Sequence, residues 1–225
     1  MAGRTWRLGR LSPYAGIAGH TDLRSRNHRP CSGLGVCGLA RISQLAGEIR
    51  GLQLGLRGEQ AVAEKLLELA SDGYRSFHDF PAAKDWNIDH VVVGPPGVFA
   101  IETKTRSKRK APPGKKDHEV LYDGEVLSFP WFTNNKAAEQ AAANASWLGN
   151  YLRKSTGIDP LWVTGLLVIP GWYVAPATDP RDHKVRAMPE TALAKHLRGL
   201  PRTLTEQQIQ QIAFQVEQKC RDVEF

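Results

Sequence analysis

Asp89, Glu102 and Lys104 are the residues of this chain whose types and spacing could do chemistry together. Ile88 to Val93 and Val98 to Lys104 are two β-branched runs separated by Gly94-Pro95-Pro96-Gly97. Those four residues turn a chain but do not continue a ladder, so the runs predict a hairpin. Symmetric closure sets Val93 opposite Val98 and, counting on, Asp89 opposite Glu102. Directly opposed residues point to one side of a sheet, with Cβ atoms roughly 5 Å apart. Alternation along the strand puts Lys104 on that side too. Two opposed carboxylates repel unless something offsets their charge. The remedies are a shared proton, the Lys104 ammonium, or a divalent cation that takes both as hard oxygen ligands. Lys104 brings one positive charge for two negative ones, which leaves room for a metal. A solvated salt-bridge ladder is the plainer reading, and the hydrophobicity of both strands argues against it.

The elements around the hairpin bring further candidates. From Leu56 to Ala70, the spacing of Glu59, Val62, Ala63, Leu66 and Leu69 or Ala70 predicts an amphipathic helix, ended by Ser71-Asp72-Gly73. A Glu on the buried stripe is costly unless paired or coordinated. Alternatively, Glu59 is a first-turn residue favoured by the helix dipole and facing water. His90 alternates to the face opposite Asp89 and reads as structural. Asn134 or Asn135 caps an Ala-rich helix reaching about Lys154. On it, Gln140 shares a face with Ala137, Ala141, Asn144, Trp147 and Tyr151, and could bond a phosphate or simply a backbone carbonyl. Between hairpin and helix, residues 105–118 form a Pro/Gly-containing loop with Arg106, Lys108, Arg109, Lys110, Lys115 and Lys116 before the first acid, Asp117. Beside a metal site such a loop is a clamp for phosphates, although a charge run is usually solvated. Trp131 and Phe132 offer stacking surfaces or core packing.

Asp123-Gly124 predicts a second small hairpin, between Val120-Leu121-Tyr122 and Val126-Leu127. Leu161 to Ile169 suits a buried strand, Lys184 to Met188 a short one, and helices follow near Glu190–Arg198 and Thr205–Arg221. The plan is mixed α/β with one central sheet. The 225 residues are 41% hydrophobic and 24% charged, enough apolar material for a core. Residues 1–58 hold nine Arg, no Lys and only Asp22 and Glu48 as acids, so the whole net charge of +7 belongs there. The remainder is balanced, with 21 basic and 21 acidic residues, and is not globally basic. Residues 1–50 read as a disordered or non-native extension, too Arg-rich and aperiodic to pack, and 51–225 as the domain. Three scattered cysteines (Cys31, Cys37, Cys220) make neither a disulfide framework nor a zinc signature. With no membrane-length apolar run, the expected setting is reduced and cytoplasmic, with no membrane partner.

Gly58-Glu59, Ile88-Asp89-His90-Val91-Val92-Val93-Gly94-Pro95-Pro96-Gly97-Val98-Phe99 and Ile101-Glu102-Thr103-Lys104 together resemble the nuclease-related domain, NERD. That family lies within the restriction-endonuclease-like PD-(D/E)xK superfamily, and the resemblance covers about Leu52 to Lys154. It implies a mixed central sheet flanked by helices with an αβββαβ-type core, and Mg²⁺-dependent hydrolysis of phosphodiester bonds, Mn²⁺ substituting. It implies that Asp89 and Glu102 bind the metal, that Glu59 on the preceding helix completes the site, and that Lys104 assists the attacking water or the transition state. Gln140 matches a Gln or Lys that many superfamily members carry near the metal. The implied partner is nucleic acid, DNA before RNA. A different class of function, a catalytically inactive nucleic-acid-binding or assembly module with the same fold, competes with the enzyme. No Ser-His-Asp or Cys-His arrangement is present, and no Gly-rich loop for nucleotide triphosphates.

Overall fold

A computed structural model describes residues 34–221 of the chain. The chain divides after Ser43 into two units; of the first, only helical residues from Leu34 are described. The expected extension over 1–50 therefore falls largely outside the described residues. The first helix, α1, spans Leu34–Leu67, starting well before the apolar stripe that predicts it. Its turns before Leu56 carry Leu45, Ile49 and Leu52 exposed; only the last turns pack.

The strands are β1 (Arg75–Ala83), β2 (Trp86–Gly94), β3 (Gly97–Thr103), β4 (Glu119–Tyr122), β5 (Leu127–Ser128), β6 (Thr133–Asn134), β7 (Val163–Val168), β8 (Tyr173–Pro176) and β9 (Arg186–Met188). The remaining helices are α2 (Lys136–Thr156), α3 (Glu190–Arg198) and α4 (Glu206–Arg221). Instead of one sheet there are two: a five-stranded sheet in the order β1-β2-β3-β7-β9, and a four-stranded one in the order β6-β5-β4-β8. The second forms because β4 pairs not only with β5, as the Asp123-Gly124 turn predicts, but also in parallel with β8. Tyr173–Pro176 carries too little periodicity to predict that strand.

The hairpin closes as its sequence dictates. Gly94 pairs with Gly97, Val93 with Val98, Val92 with Phe99, and the ladder runs to His90 and Ile101. Pro95 and Pro96 form the tip, where the Pro95 carbonyl accepts bonds from the N–H groups of Thr203 and Leu204. Alternation sorts the side chains into two cores. Val92, Phe99 and Ile101 face Val62 and Leu66 of α1, Leu69 just past its end, and Leu193 and Leu197 of α3. Val91, Val93, Val98 and Ala100 face Leu148 and Leu152 of α2 and Ile209 and Ile212 of α4. The small sheet closes a third core around Phe129, Trp172 and the Ala-rich start of α2.

Two glycines set how closely the helices approach. A Cβ at Gly165 would lie 2.8 Å from the Ala141 carbonyl oxygen, so α2 rests directly on the backbone of β7. A Cβ at Gly58 would lie 1.9 Å from the Thr105 side chain, so α1 presses on the chain just past Lys104. Asn134 caps α2: its Oδ1 accepts from the N–H groups of Lys136 and Ala137 at 3.1 and 3.2 Å.

Candidate active site

The paired ladder of the hairpin ends at His90 and Ile101, and Asp89 and Glu102 are the next residue along each strand. Glu102 is 1% exposed. Its Oε1 accepts from Lys104 Nζ at 2.5 Å and its Oε2 from Asn144 Nδ2 at 2.9 Å. Lys104 Nζ also donates to Gln140 Oε1 at 3.2 Å, and its own N–H donates to the Val168 carbonyl, extending the β3–β7 ladder. Asp89 is half-buried, and its Oδ2 accepts the Thr103 N–H at 2.7 Å. Asp89, Glu102, Lys104 and Gln140 are thus brought together.

Burial raises the acid pKa of both carboxylates. Glu102 is pushed up to about 7, first by desolvation and then by the Asp89 charge, against the pull of Lys104 and Asn144. Asp89 is raised by desolvation, opposed by the Thr103 N–H and Lys104. Lys104 alone does not neutralise the pair.

Glu59 stands apart from this cluster. It is exposed rather than on the buried stripe, although its neighbour Gly58 is buried. It still feels the site: desolvation, then the charges of Asp89 and Asp79, raise its pKa, and Lys104 lowers it. His90 lies on the other face, as alternation requires, 2% exposed, its Nδ1 sharing a 2.8 Å hydrogen bond with His78 Nδ1. Burial, with His78 adding, drops its pKa to about 4, so it is a neutral core residue.

Two residues were not legible as site residues. Asn144 is fully buried and joins Trp86 to Glu102: its Oδ1 accepts from Trp86 Nε1 at 2.8 Å while its Nδ2 serves the carboxylate. Its place on the Gln140 face of the helix is the one signal that could have found it. Asp79 falls opposite Asp89, between the paired His78–His90 and Phe80–Ile88. It has φ 52° and accepts from Asn87 Nδ2 at 2.7 Å. With a backbone turned into the left-handed region, β1 does not read as a regular strand.

The basic loop is pinned rather than free. The indole N–H of Trp172 donates to the Arg106 carbonyl and that of Trp131 to the Lys110 carbonyl, each at 3.0 Å. The Arg106 guanidinium lies 5.7 Å from the Phe132 ring centroid, and Lys108 Nζ lies 5.9 Å from that of Trp172. Arg106, Lys108, Arg109 and Lys110 are exposed. Lys115 is turned to the Pro130 carbonyl, and the exposed Lys116 is ion-paired with Glu119 at 2.9 Å.

Among the described residues, no three His, Cys, Asp or Glu side chains are gathered so as to hold an ion. Asp89 and Glu102 by themselves still suit Mg²⁺, which is often held by one or two carboxylates with water and substrate phosphate supplying the rest. Their donor set is all hard oxygen, and their joint charge exceeds what Lys104 offsets. No described helix is long and apolar enough to cross a membrane.

Fold and site define a mixed α/β domain with a carboxylate–lysine group buried beside a basic loop, an arrangement compatible with a nuclease. The family model of the nuclease-related domain, NERD, matches residues 54–170, and the chain belongs to that family. The matched stretch runs from the packed turns of α1 past the end of β7 and contains Glu59, Asp89, Glu102, Lys104, Gln140, Asn144 and the basic loop. No curated protein and no solved structure gave a significant match to the chain.

Proposed function

We propose that this chain is a metal-dependent nuclease that hydrolyses phosphodiester bonds, with DNA as the expected substrate, on a restriction-endonuclease-like core. The order α1-β1-β2-β3-α2-β7 supports that core, with β4–β6 inserted before α2. The observation that carries the reading is the approach of Lys104 Nζ to 2.5 Å from Glu102 beside Asp89, on one face of a hairpin edge and next to exposed cations.

Asp89 and Glu102 would hold the cation, Mg²⁺ with Mn²⁺ as substitute, which supplies charge neutralisation and a more acidic bound water. The protein's own groups do the rest. The Thr103 N–H and Asn144 fix the two carboxylates in place, so little reorganisation is needed when substrate arrives. Lys104 is held between Glu102 and Gln140, each contact breakable, and can swing its ammonium toward a phosphoryl oxygen as negative charge builds there. Gln140 keeps the amine oriented. Glu59 offers a carboxylate at the rim for water lying outside the buried pair. Arg106 and Arg109 face the strand's phosphates.

The competing reading, a binding module that has kept the fold, has one observation in its favour: Glu59 does not join the other two carboxylates in a compact trio. Purified protein incubated with plasmid DNA, single-stranded DNA and RNA, with Mg²⁺ or Mn²⁺ and with chelator, decides between them. Metal-dependent cleavage lost in both Glu102→Ala and Lys104→Ala, each still folded, supports the nuclease. Binding without cleavage of any of these substrates sinks it.

A further inference from the structure

Beside Lys104 the protein has a cleft of about 420 Å³, within the range of small-molecule sites. Thr103 to Ser107 form its floor, and the facing walls differ in kind. One wall is aromatic, from Trp131 and Phe132; the other is α1, at Gly51, Leu54 and Gly55.

Phe132 is 40% exposed. One side of its ring stacks on Phe129, with centroids 4.8 Å apart and planes 12° from parallel, and the Arg106 guanidinium lies near it. It is a backed, flat platform with the exposed Arg106 guanidinium over its ring, so a base stacking there takes the place that the guanidinium now holds. On the facing wall, a Cβ at Gly51 or Gly55 would meet nothing within 4 Å. Packing therefore does not demand glycine there, and glycine inside a helix costs helix stability. What the two glycines do is leave the cleft wide.

We propose that this cleft receives an unstacked nucleobase on Phe132, so that the strand is single-stranded where the site grips it. This rests on the nuclease reading for the identity of the neighbouring reactive groups. A base inside a duplex has both faces covered and cannot reach an aromatic wall, whereas unpaired bases stack on such platforms without regard to sequence. Lys104 and Arg106 at the mouth set phosphates beside the buried carboxylates while the base occupies the cleft. The exposed Arg106, whose guanidinium bonds the Thr105 carbonyl at 2.8 Å, lifts off the ring as the base enters and caps its outer face, as guanidinium planes do.

The test is fluorescence anisotropy of the full chain, in chelator, with a labelled oligothymidylate, an abasic strand of equal length, an oligouridylate and a duplex. Wild type binds the base-bearing strand about tenfold tighter than the abasic one, and tighter than the duplex. Phe132→Ser and Gly51→Leu each erase the base-dependent part and keep the abasic affinity, while Phe132→Trp retains it. Base dependence with either sugar supports the cleft, and the tighter of the two names the strand. Equal affinity for abasic and base-bearing strands overturns it, as does a duplex preference. Cleavage without base dependence removes the cleft and leaves the nuclease; base-dependent binding without cleavage does the reverse.

Discussion

Lys104 Nζ lies 2.5 Å from Oε1 of Glu102, a carboxylate with 1% of its surface exposed. A buried ion pair is a poor source of stability, because desolvating both partners offsets their attraction. The proposed chemistry, rather than folding, is what a pair placed beside Asp89 would serve. Lys104→Met should reduce cleavage on the order of 10²- to 10³-fold, as loss of a transition-state charge stabiliser does. Glu102→Gln should abolish metal-dependent cleavage yet leave the thermal midpoint unchanged or higher. A large fall in that midpoint would show instead that the pair is structural.

Asp89 and Glu102 repel, and a divalent cation relieves that repulsion. Mg²⁺ should therefore raise the thermal midpoint of the wild type by a few degrees, since a ligand that binds only the native state stabilises it. Asp89→Asn should remove the response. An equal rise in the variant would place the ion elsewhere.

Asn144 satisfies Glu102 with its amide and Trp86 with its carbonyl. Asn144→Ala takes a bond from the buried Glu102 carboxylate, and the expected loss is about 1–3 kcal/mol of stability. Denaturant unfolding measures it. Cleavage should fall as well, because Glu102 is then free to turn. Unchanged stability would mean that water replaces both bonds.

Tyr122 gives a pH effect remote from the site. Its hydroxyl donates to the Gly124 and Val185 carbonyls, and burial, with Asp123 and Glu125 adding, pushes its pKa up to about 12. The fold thus favours the neutral phenol. Its contribution is full below the ordinary value near 10.0 and is lost as pH rises through about 12. Tyr122→Phe should be less stable at neutral pH but show a shallower decline over that alkaline window. A parallel decline in both proteins would assign the alkaline transition to other groups.

The hairpin and the placement of Asp89, Glu102 and Lys104 could be read from the chain, since a two-proline turn and a period of two leave a single register. Helices α3 and α4 were equally plain. β1 was not: Asp79 breaks the regular backbone and the pairing with β2 shifts between Pro81 and Ala83. Asn144 was hidden for another reason. Its partners lie 42 and 58 positions away, and nothing local marks an asparagine as bridging them. Glu59 kept the expected helical phase, but phase does not say which residue of a turn is covered: Gly58 is buried and Glu59 is exposed. The loop cations were visible as charge, whereas the anchoring by Trp131 and Trp172 needed the tertiary fold.

At Gly165 the helix α2 touches the strand below with no side chain between them. Gln140 and Asn144 flank that point of contact, one on either side of Ala141. Any methyl added at this position would act as a shim, lifting both amides off the lysine and the carboxylate at once. The two residues therefore share a single height, fixed by an atom the chain does not have, and neither could be retuned by moving the helix without detuning the other.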